Sequence, residues 1–173
     1  MDPRLRAQSI RMLVFDVDGV LTDGGLYFES SGNVIKRFDV QDGLGIKLAQ
    51  KANLELAVIT GLRSEAVRSR VLDLGISEYY EGCKDKVGVL ESLAYRYELL
   101  FSQIAYLGDD WVDGPPLAKA GLAMAVSNAQ PEIKEMVEWV SQSVGGHGAV
   151  REAISFILRA QGKLDSLWQQ WRD

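Results

Sequence analysis

The chain has 173 residues, a formal net charge of −5, 47% hydrophobic and 25% charged residues, which is enough to bury a sizeable core within one domain. Acids spread along the whole length argue against a nucleic-acid-binding surface, and no apolar stretch reaches the roughly 20 residues that span a bilayer. A single cysteine, Cys83, excludes an internal disulfide, and a single histidine, His147, excludes a multi-histidine metal site.

The opening Met1-Asp2-Pro3-Arg4-Leu5-Arg6 lacks the apolar stretch of a secretory signal, so the cytoplasm is the expected compartment. Beyond it, apolar runs alternate with helix-periodic segments, the pattern of a parallel α/β sheet. Met12-Leu13-Val14-Phe15 predicts a buried strand near 11–17 that ends in Asp16-Val17-Asp18-Gly19. Period two would put both carboxylates on one side, where they repel unless a cation or a shared proton relieves them. Taken alone, such a pair also fits an ordinary strand end with a polar turn.

Residues 21–39 break the alternation. Leu26-Tyr27-Phe28 and Val34-Ile35-Lys36-Arg37-Phe38 flank Ser30-Ser31-Gly32-Asn33, which predicts an inserted β-hairpin. Its Tyr27, Phe28, Val34, Ile35 and Phe38 put apolar groups on both faces, more than a two-stranded element can cover, and this points to burial against another subunit.

Val40-Gln41-Asp42-Gly43-Leu44-Gly45 then opens a helix near 43–52, where either Asp42 caps the helix or the first amides meet an anionic or polyhydroxyl ligand. A strand near 54–60 closes in Thr60-Gly61, and a helix near 64–74 and a short strand near 79–81 follow. Lys86 begins a helix near 85–99. The strand near 104–108 runs into Asp109-Asp110-Trp111-Val112-Asp113, followed by a helix near 113–120, a strand near 122–126, a helix near 131–136 and a short strand near 138–141. A turn, Val144-Gly145-Gly146-His147-Gly148, leads into a C-terminal tail over 144–173 with a helix near 148–161, and His147 reads as a loop residue.

A carboxylate pair, a strand-end hydroxyl, a helix-borne lysine and a second acid cluster occur here in one order, each at a strand end where open α/β sheets bind ligands. The ordered set Asp16/Asp18, Thr60, Lys86 and Asp109/Asp110 resembles the haloacid dehalogenase superfamily of phosphohydrolases. The resemblance implies an α/β, Rossmann-like doubly wound parallel sheet of the same type, a single domain over 1–173, an inserted β-hairpin and no cap domain. It implies Mg2+ held by Asp16, the Asp18 carbonyl and Asp109. Asp16 is then the nucleophile, Asp18 the general acid and base, and Lys86 and Thr60 the phosphoryl-binding groups, with Asp110 and Asp113 around them.

The hairpin directly after Asp18, the missing cap, and the sequences Gly145-Gly146-His147-Gly148-Ala149-Val150-Arg151-Glu152 and Ala160-Gln161-Gly162-Lys163 resemble, over essentially the whole chain, the 3-deoxy-D-manno-octulosonate 8-phosphate (KDO 8-phosphate) phosphatases of lipopolysaccharide synthesis. That resemblance implies a homotetramer acting on a small sugar phosphate, with neither nucleic acid nor membrane as a partner, and a C-terminal segment reaching a neighbour's site. Substrate contacts are then expected at Asp18, Asp39, Val40, Gln41, Asp42, Gly43, Lys47, Gly61, Arg70, Lys86 and Arg151. Leu62, Gln41 and Lys47 stand where the family often has arginine, which keeps a nine-carbon sialic-acid-type 9-phosphate as the alternative substrate. A non-catalytic tetramerising module would be expected to lack one of the catalytic groups, and all are present.

Overall fold

The computed structural model describes residues 2–172. The strands are β1 (Met12–Phe15), β2 (Tyr27–Phe28), β3 (Val34–Ile35), β4 (Glu55–Ile59), β5 (Glu78–Tyr80), β6 (Ile104–Gly108), β7 (Leu122–Ala125) and β8 (Trp139–Val140). Six of them form one parallel sheet in the order β5-β4-β1-β6-β7-β8, and β2 and β3 pair antiparallel as a separate hairpin. The helices are α1 (Pro3–Gln8), α2 (Val40–Lys51), α3 (Glu65–Asp73), α4 (Lys86–Arg96), α5 (Gly114–Lys119), α6 (Pro131–Met136), α7 (Ala149–Ala160) and α8 (Leu164–Arg172).

Every residue of β1 is buried, as a strand with covered faces on both sides requires. From β1 the chain moves outward to β4 and β5, then crosses back to β6 on the other side of β1. Right-handed crossovers put α2 and α3 on one face and α4 and α5 on the other. The packing agrees, because α7 lies against both α2 and α1 while α4 packs on α5. The reversal between β1 and β6 opens a crevice at their carboxyl ends, and Asp16 and Asp109 follow directly there.

Two helices absent from the sequence reading have local causes. Asp2 caps α1 by accepting from the Arg4 amide at 2.8 Å, with Pro3 at the first helical position. Helix α8 buries only Leu167, and Trp168 and Trp171 stay exposed.

Three expectations need correction. First, β1 stops at Phe15, and the Val17 carbonyl accepts from the amides of Val20, Leu21 and Thr22 at 2.9–3.1 Å. Strand alternation therefore does not carry Asp18 to the side of Asp16. Second, α2 starts at Val40 rather than near 43, because Asp39 is the cap and its carboxylate accepts from the Gln41 and Asp42 amides. Those amides are engaged and offer nothing to an anion.

Third, Asp42 caps a different helix. Buried at the start of α2, it accepts from Arg151 N at 2.8 Å and Gly148 N at 3.3 Å, satisfying the first turn of α7 across the interface. The C-terminal helix expected near 148–161 is α7, and it is tied into the core. Helix α7 buries Ala149, Val150, Ala153, Ile154, Ile157 and Leu158, and full burial of each larger aliphatic among them contributes about 1.5–3 kcal/mol. Truncation before Gly145 would therefore remove core.

Asp42→Ala strips two N–H groups of their partner and leaves a gap against α7. Urea denaturation is expected to show a loss of about 1–2 kcal/mol. An unchanged midpoint would contradict the capping role.

Candidate active site

The carboxyl ends of β1 and β6 bring three acids together. Asp16, Asp109 and Asp113 each offer a carboxylate oxygen within 4.8 Å of the others. Lys86, the first residue of α4, reaches between them and donates to Asp16 Oδ1 at 2.8 Å and Asp113 Oδ1 at 2.7 Å. Both ion pairs are buried, with side-chain exposure of 5%/8% and 5%/0%. Asp113 also accepts from the Tyr106 hydroxyl at 2.8 Å and from Asp109 N at 3.0 Å. It holds the N-cap position of α5 without capping it and braces Lys86 instead. The Asp109 carboxylate packs where any side chain at position 19 would collide with it, which is a reason for Gly19. Its Oδ1 is buried with no hydrogen-bond partner among the described residues.

One ammonium among three acids leaves excess negative charge in a desolvated place. Burial, reinforced by the Asp113 charge, pushes the Asp16 carboxyl up to about 6. Burial also pushes Asp109 up to about 8, with the charges of Asp16, Asp113 and Asp110 adding to it. Burial pulls the Lys86 ammonium down, but Asp16 and Asp113 outweigh it and hold it above the ordinary lysine range. Burial and the Asp113 carboxylate raise the Tyr106 hydroxyl, so it stays protonated and donates. An orphaned oxygen, a hard-oxygen donor set and surplus negative charge together fit a divalent cation of the magnesium type. Asp113 is saturated by other partners, so Asp16 and Asp109 are the acids suited to it.

Thr60 sits buried at the end of β4, beside β1, with Gly61 exposed after it. Its Oγ1 accepts from the Leu62 amide at 3.4 Å. Asp18 leaves the cluster and pairs with Lys36. The glycine turn closes the same loop from the far end of the chain. Gly146 N donates to Val20 O at 2.9 Å and Gly145 N to Asn128 Oδ1 at 2.9 Å, and a Cβ on either glycine would strike the backbone of Gly19 or of Thr22 and Asp23. Arg37 donates to the Gly146 carbonyl and contacts the ring of His147 at 3.3 Å, so His147 is a loop residue facing the hairpin.

Asp16, Lys86, Asp109 and Asp113 are thus gathered, and other expected contacts lie elsewhere. Asp110 is exposed and accepts from the Trp111 amide at 2.7 Å. Val40 and Gln41 are exposed in the first turn of α2. Lys47 turns to α3, where its ammonium donates to the Leu74 carbonyl at 2.7 Å. Arg70 pairs with Asp73 at 2.9 Å, and its guanidinium lies over Gly43, where a Cβ would meet it. Arg151 lies along Gly45 and lines a groove with Leu44, Leu48 and the tryptophans of α8. The sequence reading missed Lys36 and Tyr106. The only signal for either was a polar group set within an apolar strand.

Residues 75–154 match the family model of haloacid dehalogenase-like hydrolases. The chain is 40% identical over 164 residues to the 3-deoxy-D-manno-octulosonate 8-phosphate phosphatase KdsC of Escherichia coli (strain B / BL21-DE3), covering 95% of this chain and 87% of that one. Two crystal structures of enzymes with the same activity are close in fold. The one from Yersinia pestis has a TM-score of 0.93 and 40% identity over 95% of this chain and 89% of its own. The one from Moraxella catarrhalis, in complex with a magnesium ion, a phosphate ion and KDO, has a TM-score of 0.95 and 35% identity over 98% and 97%. Sequence and fold agree along nearly the whole length, and the chain belongs to the KDO 8-phosphate phosphatase family of haloacid dehalogenase-like hydrolases.

Proposed function

We propose that this chain is a cytoplasmic, magnesium-dependent phosphatase that hydrolyses KDO 8-phosphate to KDO and inorganic phosphate. The observation that carries the reading is the buried Asp16 carboxylate, held by Lys86 next to Asp109 and its unpartnered Oδ1. Similarity to relatives named for that substrate, one of them crystallised with magnesium, phosphate and KDO, supports the choice of substrate and ion. Among the described residues no helix is long and apolar enough to cross a membrane.

In this reading Asp16 attacks phosphorus in line with the departing sugar oxygen, and the P–O bond to the sugar breaks as the aspartyl-phosphate forms. Asp18 hands a proton to that oxygen, then takes one from the water that cleaves the aspartyl-phosphate and returns Asp16. Lys86 fixes the Asp16 carboxylate and sets a positive charge beside the transferring group, while Thr60 at the end of β4 donates to a phosphoryl oxygen. Magnesium, held by Asp16, Asp109 and the Asp18 carbonyl, supplies charge neutralisation for the phosphoryl oxygens.

A panel of eight- and nine-carbon sugar-acid phosphates with p-nitrophenyl phosphate tests the reading by phosphate release. KDO 8-phosphate is expected to give the highest kcat/KM. Asp16→Asn is expected to lower its turnover at least ~1,000-fold while the protein stays folded by circular dichroism. Preference for a nine-carbon substrate, or an active Asn variant, would overturn substrate or nucleophile respectively.

The raised carboxyls of Asp16 and Asp109 fix a pH dependence. Their contribution to stability is fully present below the ordinary carboxylate range and is lost as pH rises through about 6 and about 8. Metal-free protein is therefore expected to melt lower at pH 8.5 than at pH 5. Each 1 kcal/mol lost lowers Tm by about 2–4 °C in a chain of this size, and added Mg2+ is expected to restore Tm mainly at the higher pH. Melting curves in EDTA and in Mg2+ check this, and a Tm independent of both pH and Mg2+ would contradict it.

We read the hairpin as the assembly surface of a homotetramer. Its Leu26, Phe28 and Ile35 are 59%, 69% and 50% exposed in the single chain. Sedimentation equilibrium at micromolar concentration is expected to give four chains, and a stable, active monomer would refute the assignment.

A further inference from the structure

Lys36 follows Ile35 out of the second arm of the hairpin, between two residues whose side chains behave differently. Ile35 faces solvent and Phe38 packs on the core, while the Lys36 side chain is only 3% exposed. A buried ammonium costs several kcal/mol unless it is paired. Its partner is the Asp18 carboxylate, 28% exposed, and among the described residues Lys36 is also the only hydrogen-bond partner of that carboxylate.

Asp18 needs such a partner. It lies past the end of β1, inside the turn closed by the Val17 carbonyl, and the next residue, Gly19, has φ +89°. Among the described residues no strand ladder holds it, and no backbone amide fixes its carboxylate as Asp109 N fixes Asp113. Lys36 also lines an open groove of about 570 Å3 between the hairpin and the loop at Leu62–Ala66, bordered by Leu26, Phe28, Leu62 and Arg63. Asp18 therefore meets, in Lys36, a residue that also borders this groove.

We propose that Lys36 is the positioning residue of Asp18, holding the acid/base carboxylate in place and making its placement depend on the hairpin. The inference rests on the acid/base reading of Asp18 given above. A proton donor matters most for a poor leaving group, so a misplaced Asp18 slows release of a sugar alkoxide far more than release of p-nitrophenolate. A misplacement of about 1 Å in such a group costs on the order of 100-fold.

The test is steady-state kinetics of the full chain with KDO 8-phosphate and p-nitrophenyl phosphate. Wild type, Lys36→Met, Lys36→Arg, Asp18→Asn and the Asp18→Asn/Lys36→Met double variant are compared. Lys36→Met is expected to lower kcat for the sugar phosphate about 10- to 100-fold with KM little changed, and to lower the p-nitrophenyl phosphate kcat at least several-fold less. Lys36→Arg is expected to recover part of the loss. In the Asp18→Asn background, Lys36→Met is expected to add nothing, because its effect runs through the missing carboxylate.

Equal losses on both substrates would show a structural role. A rise in KM alone would show direct contact with substrate, and additive losses in the double variant would show independence from Asp18. Each of these overturns the inference. If Asp18→Asn is slow and Lys36→Met is not, only the positioning role fails. If Asp18→Asn turns over the sugar phosphate normally, the acid/base reading itself fails. Should Lys36→Met not accumulate in folded form, Lys36→Gln makes the same measurements.

Discussion

The site is organised around one buried ammonium. Lys86 bridges Asp16 and Asp113 where β1 and β6 end, and without it two desolvated carboxylates would face each other with Asp109 close by. Several features make sense only as service to this bridge. Tyr106 sends its hydroxyl from the middle of an apolar strand to Asp113. Asp113 gives up the capping of its own helix. Gly19 is small because the Asp109 carboxylate occupies the space of a side chain. The bridge still leaves the cluster short of positive charge, and that deficit is why a divalent cation suits the crevice.

Much of this was legible in the chain because it is written in local patterns. Apolar runs at β1, β4, β6 and β7 stood out, and a sheet of this topology converges the residues that follow such runs. Asp16, Thr60 and Asp109 were singled out for that reason, and Lys86 as the first residue of an amphipathic helix. What escaped depends on contacts distant in sequence. Asp42 looked like the cap of its own helix, and nothing near it reveals that its partners are the amides of Gly148 and Arg151. Lys47 and Arg70 were expected to meet substrate, and nothing near them in sequence reveals that one binds a helix-end carbonyl and the other lies over Gly43. Lys36 sat inside a β-prone arm where a cation reads as surface. The pairing of Asp18 with it goes with a strand that ends two residues before the expected limit at 17.

The hairpin joins two physical demands that pull in opposite directions. Its outer surface keeps Leu26, Tyr27, Phe28 and Ile35 in water, which no small element does at low cost. Its inner edge carries a buried lysine to a carboxylate and an arginine to the Gly146 carbonyl. The same few residues therefore touch Asp18, the glycine turn and whatever covers the outer face.

That glycine turn has a consequence for how the enzyme comes into being. Gly145 and Gly146 lie against the backbone of Gly19, Thr22 and Asp23, and helix α7, which seats them, packs on α2 and α1 at the other end of the chain. A ribosome that has made everything through Asp113 has already delivered every group used in the proposed chemistry. The loop around Asp18 nevertheless lacks its backing until the last part of the chain emerges and docks. Synthesis order thus separates possession of the reactive groups from their alignment. The half-made chain carries the acids and the lysine, and it gains a fixed loop only when its final core helix closes over the first strand's turn.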